Sequence, residues 1–343
     1  MCSFKIIELN SQDWRKYVDN SLNYDFYHTQ SYNKLEKEGI PLLFVGEDNG
    51  DFIAFPLIVR SIPNSKYFDC TSVYGYCGPL SNLPVEEIPA TIISFFIKNL
   101  TTYFKKENII SVFSRLHPLI EGDKIIGNIG GEIVALNKTI AIDLKLTEQE
   151  QKKQYRKSNK YEINKLKKND FIVTEAKTKE EIDAFIEIYH ETMLRVNATE
   201  NYFFSKQYFY DFLSNDCFSN KLLLARKGNE ITAGAIFTVT NKIMQYHLAG
   251  TKLEYSRDTP MKLILDEARN LGNLLNLDYL HLGGGVGGSD DDSLFKFKSG
   301  FSKTIFQYKI WKFIVNKTKY NEIVALKNIR TENNSFFPLY RAY

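Results

Sequence analysis

Hydrophobic positions along the chain change repeatedly between a period of two and a helical period, which predicts strands and helices in alternation. The first half carries a predicted hairpin, then a helix and a strand, at residues 42–45 with 51–60, 86–105 and 108–113. The second half carries a hairpin, a strand, a helix and a strand, at residues 221–225 with 231–239, 242–249, 260–271 and 277–282. This pattern favours two similar α/β units in tandem.

Between these halves, residues 148–169 form a polar stretch that predicts one helix with eight basic residues. Its apolar positions are limited to Tyr161, Ile163 and Leu166. A solvated linker helix is one interpretation, since charge runs usually face water. The excess of bases over acids keeps a second interpretation open, in which Arg156, Lys157 and Lys160 bind phosphate groups.

A glycine-rich segment follows the last strand of the second half, with the sequence LHLGGGVGGSDDDSLFKFKSGFS at residues 280–302. Gly283, Gly285 and Gly288 match GxGxxG, but no long helix and no acidic residue at the required distance follow, so a dinucleotide site is excluded. Gly283, Gly284 and Gly285 instead predict a sharp turn whose backbone closely approaches a ligand. A turn without any ligand is the alternative.

The same segment contains FKxGF, in which Phe297, Lys298, Gly300 and Phe301 form a short helix closed by glycine. Aromatic walls would exclude water, so Lys298 is a candidate to neutralise a carboxylate or a developing oxyanion. The alternative is a surface lysine that extends its ammonium into water above aromatic core residues.

Composition limits the class of protein. The chain has 343 residues, a formal net charge of +3, 43% hydrophobic and 14% aromatic residues, which indicates a globular protein of about two domains. A near-zero charge argues against a DNA-binding protein. The four cysteines show no zinc spacing, so we expect no metal, and the acidic run at residues 290–292 either holds a divalent ion or caps a helix. Without a secretory signal or an apolar run that could span a bilayer, we expect a cytoplasmic protein that works at most peripherally at a membrane.

Several motifs together resemble one family. The glycine loop with SLFKFKSGFS, the stretch KYEINKLKKNDF, FYHTQSYNKL at residues 26–35 and YGYCGPL at residues 74–80 resemble the FemABX-type aminoacyltransferases, a branch of the GNAT superfamily, and their polysaccharide-cluster relatives. The resemblance covers nearly the whole chain. It implies an α/β (α+β) fold of two tandem GNAT-like domains, which we expect at residues 1–147 and 148–343. The second domain would begin with the basic helix, and the tail from about residue 315 would pack back on the first.

The resemblance also implies roles for individual residues. Lys298 would be the catalytic lysine beside the reacting groups, with Phe297 next to it. The other residues that would contact substrate fall in four stretches, namely Arg156, Lys157, Lys160 and Tyr161 at a diphosphate, Gly283, Gly284 and Gly285 in the loop, Tyr74 and Tyr76 in the first domain, and Tyr246 and His247 in the second.

For function, the resemblance implies transfer of an aminoacyl group, from aminoacyl-tRNA and without a bound cofactor, to an amine of a nucleotide- or lipid-linked precursor of the cell wall, peptidoglycan or surface polysaccharide. The acyl-CoA loop [RQ]xxGx[GA] is absent, since residues 257–262 read RDTPMK and contain Pro260 instead of the glycines. Two alternatives remain. One is an acyl-CoA-dependent N-acyltransferase acting on an amino sugar in surface polysaccharide biosynthesis, and the other is a non-catalytic glycan- or nucleotide-binding module.

Overall fold

The structure is a computed structural model that describes residues 2–286, 291–327 and 336–342. In these ranges the strands are β1 Ser3–Glu8, β2 Ile40–Asp48, β3 Asp51–Ser61, β4 Phe68–Thr71, β5 Leu80–Ser81, β6 Ile109–Leu116, β7 Glu132–Asp143, β8 Phe171–Glu175, β9 Ser219–Lys227, β10 Glu230–Thr240, β11 Ile243–Thr251, β12 Tyr279–Gly283 and β13 Ile305–Ile314. The helices there are α1 Gln12–Asp19, α2 Gln30–Lys34, α3 Ala90–Lys106, α4 Gly122–Ile126, α5 Glu148–Gln154, α6 Lys157–Lys168, α7 Lys179–Arg195, α8 Lys206–Leu213, α9 Met261–Leu274, α10 Ser293–Lys298 and α11 Lys317–Leu326. None of these helices has the length and apolar character needed to cross a bilayer.

The chain divides into two compact units. The first comprises residues 1–136 and 307–343, and the second comprises residues 137–306. These units are defined only by how densely residues pack together. The predicted division into domains 1–147 and 148–343 therefore stays a prediction.

In the first unit the strands are ordered β1-β2-β3-β4-β6-β13, and β5 pairs with β3. Neighbouring strands are antiparallel except β4 and β6, which are parallel and are connected through α3. The buried face of α3, with Phe96, Leu100 and Phe104, packs against β2, β3 and β6, as its helical spacing predicts. A second cluster around Trp14 and Leu43 brings α1 into the core of this unit.

The second unit repeats this arrangement. Its strand order is β8-β9-β10-β11-β12-β7, again antiparallel except for the parallel pair β11 and β12, which α9 connects. Leu263, Ile264, Leu265 and Ala268 of α9 are buried in its main core. The tandem α/β arrangement predicted from the sequence is therefore confirmed.

The sixth strand in the order of each unit comes from an unexpected part of the chain. In the first unit β13 pairs with β6, with Arg115 opposite Ile310 and Phe113 opposite Lys312. In the second unit β7 pairs with β12, and Ile140 lies opposite Gly283. In each unit, the last strand of the order is thus one that the order of elements within one half does not predict.

The prediction of a single basic helix at residues 148–169 is wrong. Two helices, α5 and α6, are separated by Tyr155 and Arg156, whose ψ angles of 137° and 142° are extended. The Tyr155 side chain is buried and packs edge-on against Phe301 at a centroid distance of 5.1 Å. The break exists because burial of this ring draws the backbone out of the helical path, and no glycine or proline marks it in the sequence.

Candidate active site

Lys298 is the last residue of α10 and is buried, with 7% of its surface exposed. Its ammonium donates a 2.6 Å hydrogen bond to the main-chain carbonyl oxygen of Gly284 and lies 5.8 Å from the centre of the Tyr246 ring. The interpretation of Lys298 as a surface lysine extended into water is therefore wrong. The fold brings together Lys298, the glycine loop and Tyr246, which the sequence keeps apart.

The pKa of the Lys298 ammonium lies close to neutral pH. Burial lowers the pKa of its ammonium to about 7, and the negative charge of Asp292 opposes part of that shift. Asp292 also accepts a 2.8 Å hydrogen bond from the Phe295 N–H and so caps the N-terminus of α10. An anionic group placed beside Lys298 would raise this pKa again, because an opposite charge favours the ammonium form.

The glycine loop is shaped by close packing on both sides. Gly283 has a φ of +74° and lies at an irregularity in the pairing of β12 with β7. A Cβ on Gly284 would lie 3.0 Å from the Lys138 carbonyl oxygen, and a Cβ on Gly285 would overlap Oδ1 of Asp292. Gly284 and Gly285 are half-buried, so their backbone remains reachable from solvent.

The end of α10 is joined to the start of α6. The Arg156 main-chain N–H donates a 2.8 Å hydrogen bond to the Gly300 carbonyl oxygen, and the Arg156 guanidinium donates to the Lys296 carbonyl oxygen at 3.2 Å. A Cβ on Gly300 would lie 2.6 Å from Nδ2 of the buried Asn159. The glycine of FKxGF therefore allows α6 to lie directly against this turn.

A buried polar network holds the break between α5 and α6. Arg269 of α9 is fully buried and donates hydrogen bonds at 3.2 Å to Oη of Tyr155 and to Oε1 of Gln151. Tyr155 donates in turn to Asp266 at 3.3 Å. Because every group is buried and partnered, the network fixes the direction in which Arg156 leaves α5.

An open groove of about 540 Å³ lies along this break. It is lined by the residues Glu150, Lys153, Gln154, Tyr155, Arg156, Lys157, Lys160 and Lys303. Gln154 connects the two sides of the groove, since its Oε1 accepts hydrogen bonds from the Lys303 N–H at 2.8 Å and from the Ser302 hydroxyl at 3.1 Å. Three of the residues predicted to bind a diphosphate, Arg156, Lys157 and Lys160, therefore share one surface.

The five cations of the groove differ from other cations on the same helices. Lys152 is paired with Glu148 at 2.6 Å, and Lys167 is paired with Asp266 at 3.2 Å. Lys153, Arg156, Lys157, Lys160 and Lys303 are exposed and form no ion pair within the described ranges. Glu150, the one acid in the lining, accepts hydrogen bonds from Thr147 that lower the pKa of its carboxyl. The groove thus concentrates unneutralised positive charge, which favours an anionic ligand.

The remaining predicted residues of the second unit lie at different positions. Phe297 packs against Phe301 at 5.7 Å beside Lys298. Tyr161 is exposed on α6, at 70% of its surface, and does not line the groove. His247 is the extra residue of a bulge between β10 and β11 and stacks on Phe212 of α8 at 4.8 Å. The structure therefore does not bring His247 to Lys298, and burial lowers the pKa of its imidazole to about 3.

Tyr74 and Tyr76 lie in the first unit, in the loop after β4. Tyr74 is 54% exposed, and its carbonyl oxygen accepts a 3.0 Å hydrogen bond from the Tyr32 hydroxyl. Tyr76 is half-buried and packs edge-on against Tyr27 at 5.7 Å and Tyr308 at 5.2 Å. Both tyrosines belong to one aromatic surface, and their proposed contact with substrate stays a prediction.

Several residues of the site carry no signal in the sequence. Lys153, Gln154 and Lys303 line the groove without belonging to any motif, and only the folded chain places them there. The sequence leaves Asp292 as either a metal ligand or a helix cap, and the structure shows it as the cap of α10. Gly288 and Asp290 lie outside the described residues.

The N-terminus of α9 is the position that an acyl-CoA loop would occupy. Thr259 there has a φ of +57°, and Pro260 precedes the first turn. The Lys262 N–H donates to the Thr259 carbonyl oxygen, and the Leu263 and Ile264 N–H groups donate to that of Pro260. These amides are already engaged in the first turn and are not directed at an external anion.

Comparisons with known proteins agree with this fold. No protein-family model and no curated protein matches the sequence. FemX superposes with a TM-score of 0.73 at 12% identity, covering 93% of this chain and 99% of FemX. L-PGS from Bacillus licheniformis superposes with a TM-score of 0.61 at 11% identity, covering 90% of this chain and 93% of L-PGS. A tandem GNAT protein from the clavulanic acid biosynthesis pathway superposes with a TM-score of 0.51 at 9% identity, covering 92% of this chain and 99% of that protein. The chain therefore has the tandem GNAT fold, as the sequence resemblance implied.

Proposed function

We propose that this protein is an aminoacyltransferase of the FemABX type. It transfers an aminoacyl group from aminoacyl-tRNA to an amine on a phosphate-bearing precursor of the cell wall or a surface glycan. The observation that carries the proposal is the contact between α10 and α6, which joins Lys298 to a groove of unpaired cations. The shared fold with FemX supports the same assignment.

The groove suits the phosphate groups of the acceptor. Arg156 lies at the break before α6, Lys157 and Lys160 lie on α6, and Lys303 lies in the segment after α10, so cations from two segments line one groove. Phosphate oxygens accept charge-assisted hydrogen bonds from such cations. Because these side chains are exposed, binding weakens as salt rises.

Lys298 acts on the charge of the reacting groups. The neutral acceptor amine attacks the ester carbonyl carbon of the donor, a C–N bond forms and the C–O bond to the tRNA ribose breaks. The amine loses a proton, and the released ribose oxygen gains one. Negative charge on the substrate carboxylate or the tetrahedral oxyanion raises the pKa of Lys298 from about 7, so the buried group becomes an ammonium where that charge lies.

Two features support aminoacyl-tRNA as the donor. The first-turn amides of α9 are engaged within the chain, which disfavours a pyrophosphate of acyl-CoA at that position. The cation-lined groove suits a polyanion such as tRNA as well as a diphosphate. A charged tRNA as donor implies a reaction in the cytoplasm, with the precursor presented in solution or at the inner membrane face.

The test supplies both possible donors to the purified protein. A nucleotide-linked muropeptide or amino-sugar acceptor is incubated with tRNA charged with labelled amino acids, with and without ribonuclease, and with labelled acetyl-CoA in parallel. The matched control is Lys298→Met, which keeps the apolar stem. Transfer that ribonuclease abolishes and Lys298→Met lacks is the expected result.

The two alternatives give different outcomes in the same assay. Transfer from acetyl-CoA alone would assign the protein to acyl-CoA-dependent N-acyltransfer. Acceptor binding without transfer from either donor would assign it to a non-catalytic binding module.

A further inference from the structure

An arginine of the first unit lies close to two aromatic rings. The Arg115 guanidinium carbon is 5.0 Å from the centre of the Phe113 ring and 5.6 Å from that of Tyr74. Both are cation–π contacts, in which the face of an aromatic ring attracts the positively charged guanidinium.

Arg115 differs from Arg60 and Arg341 of the same unit, because no acidic side chain pairs with it among the described residues. Arg60 and Arg341 both bind the buried carboxylate of Asp69, at 2.9 Å and 2.5 Å. Within the part of the chain that the structure describes, Arg115 forms no ion pair and its side chain donates no hydrogen bond. Its N–H groups are therefore available to a ligand, since arginine carries five donors and remains charged.

A second cation lies on the same face of the sheet. Lys312 of β13 pairs directly across from Phe113 of β6, and Arg115 lies opposite Ile310, two residues along. Arg115 and Lys312 are thus diagonal neighbours, at about 7–8 Å between their Cα atoms, within reach of one small dianion. Lys312 is half-buried and likewise forms no ion pair among the described residues.

The backbone around Arg115 is held from both sides. Its N–H donates a 3.0 Å hydrogen bond to the Ser72 hydroxyl, and its carbonyl oxygen accepts one of 3.0 Å from the Cys77 N–H. Gly75, next to Tyr74, has a φ of +114°, and a Cβ there would overlap the Tyr27 ring. Glycine at position 75 therefore permits the close contact between this loop and Tyr27.

We propose that Arg115 and Lys312 form an anion-binding site of the first unit that takes the phosphate dianion of an organic phosphate. The guanidinium edge binds two phosphate oxygens and Lys312 supplies the second positive charge. The exposed Tyr74 ring and the Tyr76–Tyr308 pair offer an aromatic surface to the organic part. All of these residues belong to the first unit, so this site shares no residue with the groove of the second unit.

The test first removes two of the five cations of the groove, so that phosphate binding there is weakened. In the full chain carrying Lys157→Ala and Lys160→Ala, calorimetric titrations use uridine monophosphate, glucose 6-phosphate, inorganic phosphate and succinate. We expect the phosphates to bind and succinate to bind more weakly. Stronger binding of uridine monophosphate than of glucose 6-phosphate would indicate a nucleotide against Tyr74, and the reverse a sugar phosphate.

Substitutions then locate the site. Arg115→Gln should weaken phosphate binding by about tenfold or more, since it removes a charged two-point contact. Arg115→Lys, which keeps the charge and loses the planar fork, should also weaken it. The matched control is Lys66→Gln, which removes an exposed cation that lies over the ring of Tyr67 in the same unit.

Equal binding by Arg115→Gln and Lys66→Gln would overturn the proposal, as would the absence of phosphate binding to the parent chain or equal binding of succinate. The melting temperature of each variant shows whether it is folded. If Arg115→Gln is not folded, phosphate binding is compared between Arg115→Lys and Lys66→Gln instead.

Discussion

The main-chain N–H of Arg156 and the carbonyl oxygen of Gly300 are joined by a 2.8 Å hydrogen bond. This bond takes the place of a helical one, because Arg156 stands at the break between α5 and α6. It ties Arg156, one of the cations of the groove, to the residue two positions after Lys298. The two motifs that the sequence presents separately are thus parts of one local structure.

Gly300→Ala tests this contact. The added Cβ would meet Nδ2 of the buried Asn159 at 2.6 Å, so the Asn159 side chain or α6 itself has to shift. We expect a loss of about 1–3 kcal/mol in the free energy of unfolding, which is typical of an overpacked site. We also expect a raised KM for the acceptor, because the groove changes shape. Urea unfolding measures the free energy of unfolding, and steady-state kinetics measure the KM. The control is Gly127→Ala, whose Cβ would lie 3.3 Å from the Asp123 carbonyl oxygen. Equal effects of both changes would contradict the prediction.

The sequence predicted elements whose signal is local. The hairpins appear as β2 with β3 and β9 with β10, and the helices α3 and α9 lie where apolar residues recur at helical spacing. The hydrophobic pattern does not predict the break at Tyr155, because the break depends on tertiary contacts. The ring is drawn into the core beside Phe301 and Arg269, which are distant in sequence.

Residues that are adjacent in the sequence do not always lie together in the site. Tyr246 and His247 are adjacent, yet Tyr246 packs toward Phe237 and Lys298 while His247 stacks on Phe212. A strand sends successive side chains to opposite faces, and the bulge at this point adds a further displacement. Lys303 shows the opposite case, since only folding places it in the groove.

The groove predicts a salt-dependent effect on acceptor binding. Lys157→Ala combined with Lys160→Ala should raise the KM of the acceptor by roughly tenfold at low salt, with little change in kcat. The ratio to the parent protein should shrink as salt rises, because exposed charges are screened. Arg156 is kept intact, since its side chain also contacts the Lys296 carbonyl oxygen.

A matched pair serves as the control for the groove. Lys165 and Lys168 are exposed on the same helix, outside the groove lining, and Lys165→Ala with Lys168→Ala changes the net charge equally. If both pairs raise KM alike, the effect is one of overall charge, and α6 returns to the linker interpretation.

Lys298→Met predicts a loss of turnover. The methionine keeps an apolar stem among Tyr246 and Phe297 but carries no charge, so we expect kcat to fall by about a hundredfold or more. Circular dichroism checks that the variant is folded. Turnover near that of the parent protein, with either donor, would remove Lys298 from the mechanism.

Gly285→Val predicts damage to activity beyond any loss of stability. The Cβ of the new side chain would overlap the Asp292 carboxylate and displace it, and with it the cap of α10 that carries Lys298. We expect a larger effect than that of Gly284→Ala, whose Cβ would approach the Lys138 carbonyl oxygen at 3.0 Å. Specific activity per folded molecule is the measurement. Asp292→Ala should reproduce part of the defect, and normal activity of Gly285→Val would reduce the loop to a connector.

The burial of Lys298 predicts how stability depends on pH. Its pKa is about 7 in the folded protein, because burial disfavours the ammonium, against an ordinary value of 10.5 in the unfolded chain. Between these values the unfolded chain binds the extra proton, so the free energy of unfolding rises with pH, by at most about 1.4 kcal/mol per pH unit from this one group. Lys298→Met removes the contribution. The stability of the parent protein relative to Lys298→Met should therefore increase when urea unfolding is measured from pH 7 to pH 9. Lys165→Met, which removes an exposed lysine, should follow the parent protein at a constant difference. A constant difference for Lys298→Met as well would show that Lys298 is charged in the folded state across this range.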